Sequence, residues 1–242
     1  MLKSNHPYGT TLAILLYNKP NTMIGGTMKI LQSIIVSVIL YYTAFPGLVY
    51  ASPIDLTRTG TPIGLYQKNI PDGLVHEVKD LFSERGHVNP DFIHPDSNPN
   101  LHLTQDAVIT LTFIDEGAGY KNSFGYFLFD NDNKIIEKHL LFGNSSRQNS
   151  GGVLIPGSSI DFGHSYNEDG TATSFPAGTN IGFFIAPNAW KNNRYNPPRY
   201  NFFSIDSLNP DGQRHVAMVY STLYDTLIMG VEDLWWHHSD KD

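Results

Sequence analysis

The pattern of apolar positions changes once along the chain, near residue 100. Between Asp72 and Arg85, leucine, valine and phenylalanine recur at intervals of three and four, which is the spacing of one helix face, and Gly86 ends the pattern. After Leu101 the apolar positions recur with a period of two, in short runs separated by clusters of Asn, Asp, Pro and Gly. The sequence therefore predicts one helix, over 73–85, followed by β-strands.

Eight strands are predicted beyond the helix. In the first of them, Ile109, Leu111 and Phe113 share one face. The run 124–129 is apolar on both faces, which indicates a central strand covered by a helix or a long loop. The alternation of short strands and turns favours an all-β fold, an antiparallel β-sandwich or jelly-roll-like domain with the N-terminal helix packed on it. The predicted strands lie near 106–114, 123–129, 134–142, 158–163, 179–186, 200–205, 214–221 and 225–232.

An apolar stretch over residues 30–45 has the features of a secretory signal peptide. Lys29 precedes it, a Pro-Gly pair ends it, and Ala51 offers a small residue for cleavage. The stretch is shorter than the roughly 18 to 20 apolar residues that span a membrane, so no membrane span is expected in the mature chain. We interpret residues 28–51 as the signal peptide and residues 1–27 as a mis-annotated extension. The protein is then secreted, to the extracellular space or the periplasm.

We divide the remaining chain into a leader, helix and loop over 52–100 and a β-sandwich domain over 101–242. Its composition restricts the classes of partner and chemistry that are possible. Residues 1–51 hold three lysines and no acidic residue, so the predicted mature chain has 13 basic against 23 acidic residues and a net charge of −10. An acidic surface repels phosphate, so nucleic acid is not an expected partner. The absence of cysteine excludes disulfides, thiolate metal sites and a cysteine nucleophile.

The acidic end of the chain is the first candidate site. Four carboxylates follow the last predicted strand within a few residues, and Ca²⁺ takes six to eight oxygen ligands in the irregular geometry that loops supply. A solvated acidic tail is the alternative, because such tails often only keep a chain soluble. The four carboxylates belong to Glu232, Asp233, Asp240 and Asp242.

A second candidate lies between the first two predicted strands. Gly117 and Gly119 let the backbone turn sharply, so Asp115, Glu116 and the carbonyl of Asn122 are able to face one point. An ordinary hairpin explains the same residues, because Asp, Asn and Gly occur in any β-connection.

Other segments do not match known metal-binding or catalytic motifs. The segment 130–135 begins like a calcium loop, but Lys134 and Ile135 stand where an oxygen ligand and a glycine are expected, so we interpret it as a turn. The neighbouring His237 and His238 point to opposite faces of an extended chain, which argues against a shared zinc ion. The zincin and serine-hydrolase motifs are absent, and we predict no enzyme. A glycosidase needs only two carboxylates that are close in space, so a hydrolase stays an alternative.

Aromatic residues support that alternative class. Exposed rings in or beside loops stack on sugars or dock partner proteins, whereas rings on strands usually belong to the core. The alternative function is therefore a carbohydrate-binding module or carbohydrate-active hydrolase that uses surface aromatics and carboxylates. The aromatic residues in or beside loops are Trp190, Tyr195, Tyr200, Trp235 and Trp236.

Several ordered blocks resemble the domain-of-unknown-function 4114 (DUF4114) family of secreted bacterial proteins, which includes segments of large calcium-dependent adhesins. In the terminal block Val231 replaces the family's usual aromatic residue. The chain ends at Asp242, before the Phe-Asn-Asp segment and closing strand of the family pattern, so we expect either a truncated or frameshifted product or a member with an unpaired sheet edge. The blocks are 113–127, 175–185 with Trp190 after it, 207–212 leading to His215, and the pair 230–234 and 240–242.

The resemblance implies that the loop after Phe113 and the terminal acidic cluster meet around Ca²⁺. It predicts a secreted, non-enzymatic β-sandwich module that binds Ca²⁺ structurally and serves adhesion or another cell-surface or extracellular interaction. The expected partner is an unidentified extracellular or cell-surface ligand, either glycan or protein. The expected calcium ligands are Glu116, Asn122, Glu232, Asp233, Asp240 and Asp242.

Overall fold

Two antiparallel β-sheets and one α-helix form the framework of the computed structural model, which describes residues 11–19, 55–82, 97–117 and 119–234. Two short 3₁₀ turns, Gln148–Ser150 and Asp206–Leu208, lie in the connections. The strands and the helix, in chain order, are β1 (Thr11–Lys19), β2 (Tyr66–Gln67), α1 (Asp72–Leu81), β3 (Leu101–His102), β4 (Val108–Glu116), β5 (Ser123–Phe129), β6 (Ile135–Phe142), β7 (Ser158–Phe162), β8 (Asn180–Ala186), β9 (Trp190–Lys191), β10 (Arg194–Tyr195), β11 (Phe202–Phe203), β12 (Val216–Ser221) and β13 (Thr226–Glu232).

The first sheet has the strand order β12-β13-β1-β4-β7-β2, and the second has the order β11-β8-β5-β6 with β3 also paired to β8. Strands β9 and β10 form a separate hairpin. Each pairing between these strands is antiparallel. The predicted all-β class with antiparallel pairing is therefore confirmed, and β5 is a central strand between β6 and β8, as its two apolar faces indicate.

Both sheets contribute to one apolar core. Ile109, Leu111 and Phe113 of β4 face this core, with exposed fractions of 3% or less, as their alternation predicts. Across the core the ring of Tyr126 on β5 packs against Phe162 on β7, with centroids 4.8 Å apart. Such ring pairs add about 0.5–1.5 kcal/mol to the stabilisation that burial alone provides.

Helix α1 packs on the outer face of the first sheet. Leu74 and Val78, one turn apart, are buried against Ile114 of β4 and Ile228 of β13, so the helix spans the strand that separates them. The predicted helix is confirmed, but it ends at Leu81 rather than residue 85, because Phe82 leaves helical geometry with φ −128° and ψ 61°. Among the described residues, no helix is long and apolar enough to span a membrane.

The second sheet is covered on its outer face by a loop that follows β11. Phe127 and Phe184 of the sheet are buried there against Ile205 of that loop. A long loop rather than the helix therefore covers β5, which decides between the two possibilities that its sequence left open.

Strand β1 lies in the middle of the first sheet, between β4 and β13. It belongs to the segment 1–27 that the sequence analysis interpreted as an extension, yet Leu16 is 3% exposed and part of the core. Strand β13 has partners on both sides, β12 and β1, so the chain does not leave its last described strand at an unpaired edge. The signal peptide over 28–51 and the translation start lie outside the described residues and stay predictions.

Candidate metal site

Strands β4 and β13 end at the same edge of the first sheet. Leu12 of β1 pairs with Glu116 on one side and with Val231 on the other. Because neighbouring strands lie about 4.8 Å apart, the two strand ends are about 10 Å apart. Glu116 is the last residue of β4, and Asp233 follows directly after β13. The fold thus brings the loop after Phe113 and the start of the acidic tail to one place.

Three of the predicted ligand residues are buried at this edge. Glu116 and Asn122 are each 3% exposed, and Asp233 is 2% exposed. Aspartate and glutamate are almost never buried to this extent unless ion pairs, hydrogen bonds or metal ions compensate their charge. Glu116 and Asp233 are therefore not solvated surface carboxylates.

The carboxylate of Glu116 accepts a hydrogen bond from the backbone N–H of Arg147, with Oε2 and N 3.0 Å apart. Its neighbour Asp115 contacts other groups, the guanidinium of Arg147 at 3.3 Å and the ammonium of Lys79 at 3.6 Å, and it is about one-third exposed. Adjacent residues of a strand point to opposite faces, which explains the separation. Asp115 and Glu116 therefore do not share the same set of contacts, although the sequence allowed them to face one point.

Asn122 holds Asp233 in place. Its Nδ2 donates to Asp233 Oδ2 at 2.6 Å, and its Oδ1 accepts from the backbone N–H of Asn188 at 2.9 Å. The N–H of Asn188 fixes the orientation of the amide, because a flipped amide would place a donor against a donor. Asn122 thus offers Asp233 an N–H group, so in this arrangement its side chain positions a carboxylate.

Residues 144–147 join the two carboxylates through hydrogen bonds. The backbone N–H and the hydroxyl of Ser145 both donate to the main-chain oxygen of Asn122, at 2.9 and 3.0 Å. Two residues later Arg147 donates to Glu116. Asn144, Ser145 and Ser146 are 3% exposed or less. The sequence pattern did not predict a role for this segment, and its only signal was the run of polar residues that begins two residues after β6.

The remaining predicted ligands are only partly placed. Glu232 is partly buried, and its Oε1 accepts from the N–H of Leu234 at 3.0 Å. Asp240 and Asp242 lie outside the described residues. Within the ranges that the structure covers, no group of three or more His, Cys, Asp or Glu side chains is arranged to hold a metal ion. The candidate ligand atoms among the described residues are therefore the oxygens of two buried carboxylates, of one adjacent carboxylate and of nearby amide and carbonyl groups. These are the hard oxygen donors that Ca²⁺ prefers.

A buried histidine lies beside this edge. The ring of His215 stacks on Phe202 with centroids 3.8 Å apart, and its Nε2 lies 3.0 Å from Asp211 Oδ2. Burial lowers the pKa of His215, although the Asp211 carboxylate acts in the opposite direction. The carbonyl of His215 accepts the N–H of Glu232 at 2.8 Å, so the pair supports the chain immediately before Asp233.

Two other sequence interpretations are resolved by the structure. The carboxylate of Asp130 accepts the backbone N–H groups of Asp132 and Lys134, at 3.0 and 2.9 Å, so 130–135 is a turn, as predicted. Trp190 is only 6% exposed, so the expectation of a surface platform is wrong for this residue. Its indole fills a space next to Gly143, where an added Cβ would lie 2.6 Å from the ring. Trp235 and Trp236 lie outside the described residues.

Comparison with known proteins connects part of this chain to a family. No curated protein and no solved structure gave a match. The model of the family described as Domain of unknown function (DUF4114) matches residues 175–242. The match includes the predicted blocks from Phe175 onward and the acidic end, whereas the block 113–127 precedes it. The predicted resemblance to the DUF4114 family is therefore confirmed over residues 175–242 of the chain.

Proposed function

We propose that the protein is a secreted, non-enzymatic module with a jelly-roll-like β-sandwich that binds Ca²⁺ structurally where β4 and β13 end. The observation that carries this proposal is the burial of Glu116 and Asp233 at one edge of the sheet, with exposed fractions of 3% and 2%. Asn122 and residues 144–147 link the two carboxylates by hydrogen bonds.

A calcium ion suits this edge for a physical reason. Moving a carboxylate out of water costs several kcal/mol, and a divalent cation between two carboxylates offsets part of that cost. The donors at this edge are oxygen atoms on strand ends and loops, which matches the flexible coordination of Ca²⁺. Glu116 and Asp233 would be the anchoring ligands. Glu232, Asp240, Asp242, main-chain carbonyls and water would complete the six to eight positions.

The ion would have a stabilising role. It would tie the ends of two strands to the connection after β6 in a chain that has no cysteine for a disulfide. A ligand that binds only the folded state stabilises it by about 2.7 kcal/mol when its concentration is 100 times its dissociation constant. For a domain of this size that corresponds to a rise in melting temperature of about 5–11 °C.

Thermal unfolding of the full chain tests the proposal. Millimolar Ca²⁺ should raise the melting temperature, and EDTA should reverse the rise. Glu116→Gln keeps the side-chain volume and removes the charge, so this variant should lose most of the calcium-dependent rise. Glu168→Gln is the matched control, because Glu168 is exposed in a turn away from the site, and it should keep the rise. An equal rise in both variants, or none in the unmodified chain, would contradict the proposed site.

The interaction role rests on the predicted export and on the resemblance to segments of calcium-dependent adhesins. Fluorescently labelled full chain should bind intact bacterial cells in the presence of Ca²⁺ and should be released by EDTA. Cell binding that EDTA does not reverse, or an absence of binding, would contradict a calcium-dependent interaction role.

A further inference from the structure

The first sheet contains a strand that comes from a distant part of the chain. Strand β1 is antiparallel to both neighbours, with Leu12 to Lys19 paired to β4 and Thr11 to Leu16 paired to β13. The next strand in sequence, β2, begins only at Tyr66. The connection of residues 20–65 joins β1 to β2. Cleavage there would separate β1 from the rest of the sheet without cutting any described strand.

The two strands that flank β1 are held by contacts of their own. Helix α1 packs on both, through Ile114 of β4 and Ile228 of β13. Strand β13 also pairs with β12, and β4 pairs with β7. At one end, the hydrogen bond from Asn122 to Asp233 ties the loop between β4 and β5 to the residue that follows β13. The walls of the space that β1 fills are thus positioned by residues outside β1.

The space itself suits a strand. It presents the inner edges of β4 and β13, whose backbone N–H and C=O groups require partners when they are buried. The core side is closed by Leu16, which is 3% exposed, and Thr226 Oγ1 donates to the carbonyl of Leu16 at 3.1 Å. An extended segment with an apolar residue at this position therefore gains two ladders of hydrogen bonds and a buried side chain.

We infer that the slot between β4 and β13 is a strand-accepting site, and that it binds the segment Thr11–Lys19 as a separate, non-covalently held strand. This is β-strand addition in the interior of a sheet, where main-chain hydrogen bonds supply affinity and the pocket for Leu16 supplies selectivity. A chain that is cut between β1 and β2 after folding would hold Thr11–Lys19 in the slot and would exchange it for a free copy of that segment.

The experiment uses the full chain with residues 46–51 replaced by a protease recognition sequence, cut after folding. The cut protein is unfolded in urea and refolded with an excess of a fluorescent peptide that has the sequence of residues 11–19. The peptide should co-elute at one per chain and displace the 1–51 fragment. A Leu16→Met peptide should bind similarly, and a Leu16→Asp peptide at least about tenfold more weakly, because its buried apolar contact is lost.

Three results would overturn the inference. The first is re-entry of the 1–51 fragment without any uptake of the peptide. The second is a folded, peptide-free protein in which the amides of β4 and β13 are protected from hydrogen exchange, because the two strands then pair directly. A dimer that excludes the peptide would also count against it, since the occupant would be a second copy.

A second variant covers the case in which the cut protein does not refold. In the uncut chain, Leu16→Asp weakens the attached strand while leaving the slot unchanged. The wild-type peptide should then bind to this variant and not to the unmodified chain. Equal binding to both chains, or to neither, would contradict a slot that selects for the residue at position 16.

Discussion

Replacement of Asn122 by aspartate should produce a protein whose lost stability is restored by calcium. In the wild type the amide of Asn122 donates to Asp233 at 2.6 Å. The Asn122→Asp variant has nearly the same shape but places a second carboxylate against the first. Its other oxygen still accepts the N–H of Asn188, so the rest of the local structure has no reason to change.

The magnitude follows from two effects. A hydrogen bond to a charged group contributes about 1.5–3 kcal/mol, and this contribution is lost. Two like charges about 4 Å apart repel by about 4 kcal/mol at an effective dielectric constant of 20. Uptake of a proton by the carboxylate pair relieves part of the repulsion. We therefore expect a loss of about 3 kcal/mol at neutral pH without calcium, or a fall in melting temperature of about 6–12 °C.

Calcium should reverse this loss, because a divalent cation converts the repulsion into shared coordination. The assay is thermal unfolding of the full chain in EDTA and in millimolar Ca²⁺, at neutral and at mildly acidic pH. The calcium-dependent rise should be larger in Asn122→Asp than in the wild type. In EDTA, the loss should shrink as the pH falls, because one proton then bridges the pair.

The matched control is Asn209→Asp. Asn209 is also buried, and its Nδ2 donates to the carbonyls of Phe203 and Gln213 at 2.9 and 2.7 Å. Aspartate at this position loses both donors, so the variant should also be destabilised, but calcium should not restore it. Recovery of both variants in calcium, or of neither, would refute the placement of the ion beside Asn122 and Asp233.

Two further predictions concern pH and packing. Burial lowers the pKa of His215 from its ordinary value of 6.5, so the unfolded chain binds a proton that the folded protein does not. The free energy of unfolding, measured by urea titration, should therefore fall as the pH drops below 6.5. The His215→Gln variant should show a smaller decline than the wild type, whereas His102→Gln, at an exposed position, should change the decline less. An equal effect of both substitutions would contradict this prediction. Gly60→Ala should lower the free energy of unfolding by about 1–3 kcal/mol more than Gly178→Ala. Both glycines have positive φ, but only at Gly60 would an added Cβ meet a backbone nitrogen, at 2.7 Å. Equal losses of stability in urea unfolding would refute this prediction.

The longer strands were predictable because each carries its own signal. The prediction of 123–129 coincides with Ser123–Phe129, and the strand predicted over 225–232 is observed as Thr226–Glu232. Two-residue strands such as β2 and β3 have no periodicity of their own and exist only because a distant partner pairs with them. Strand β1 was missed for a related reason. Its apolar run resembles the signal-like stretch that follows, and its partners lie at least about 90 residues away.

At the candidate site the sequence indicated which residues meet but not how they meet. The resemblance placed Glu116, Asn122 and Asp233 together, and the structure brings all three to one edge. The donor role of Asn122 depends on the N–H of Asn188, which is 66 residues away. No local pattern reports such a contact. Asp115 was grouped with Glu116 by adjacency, whereas strand alternation directs it to Arg147 and Lys79.

Calcium titration by isothermal calorimetry tests the central claim most directly. The full chain, freed of metal by EDTA and dialysis, should show saturable binding of Ca²⁺. Asp233→Asn should abolish or greatly weaken this binding, because it removes one of the two buried charges while keeping the contact with Asn122 nearly isosteric. Asp132→Asn, at an exposed turn, should bind as the wild type does. Identical isotherms for the wild type and Asp233→Asn would contradict the proposed calcium site.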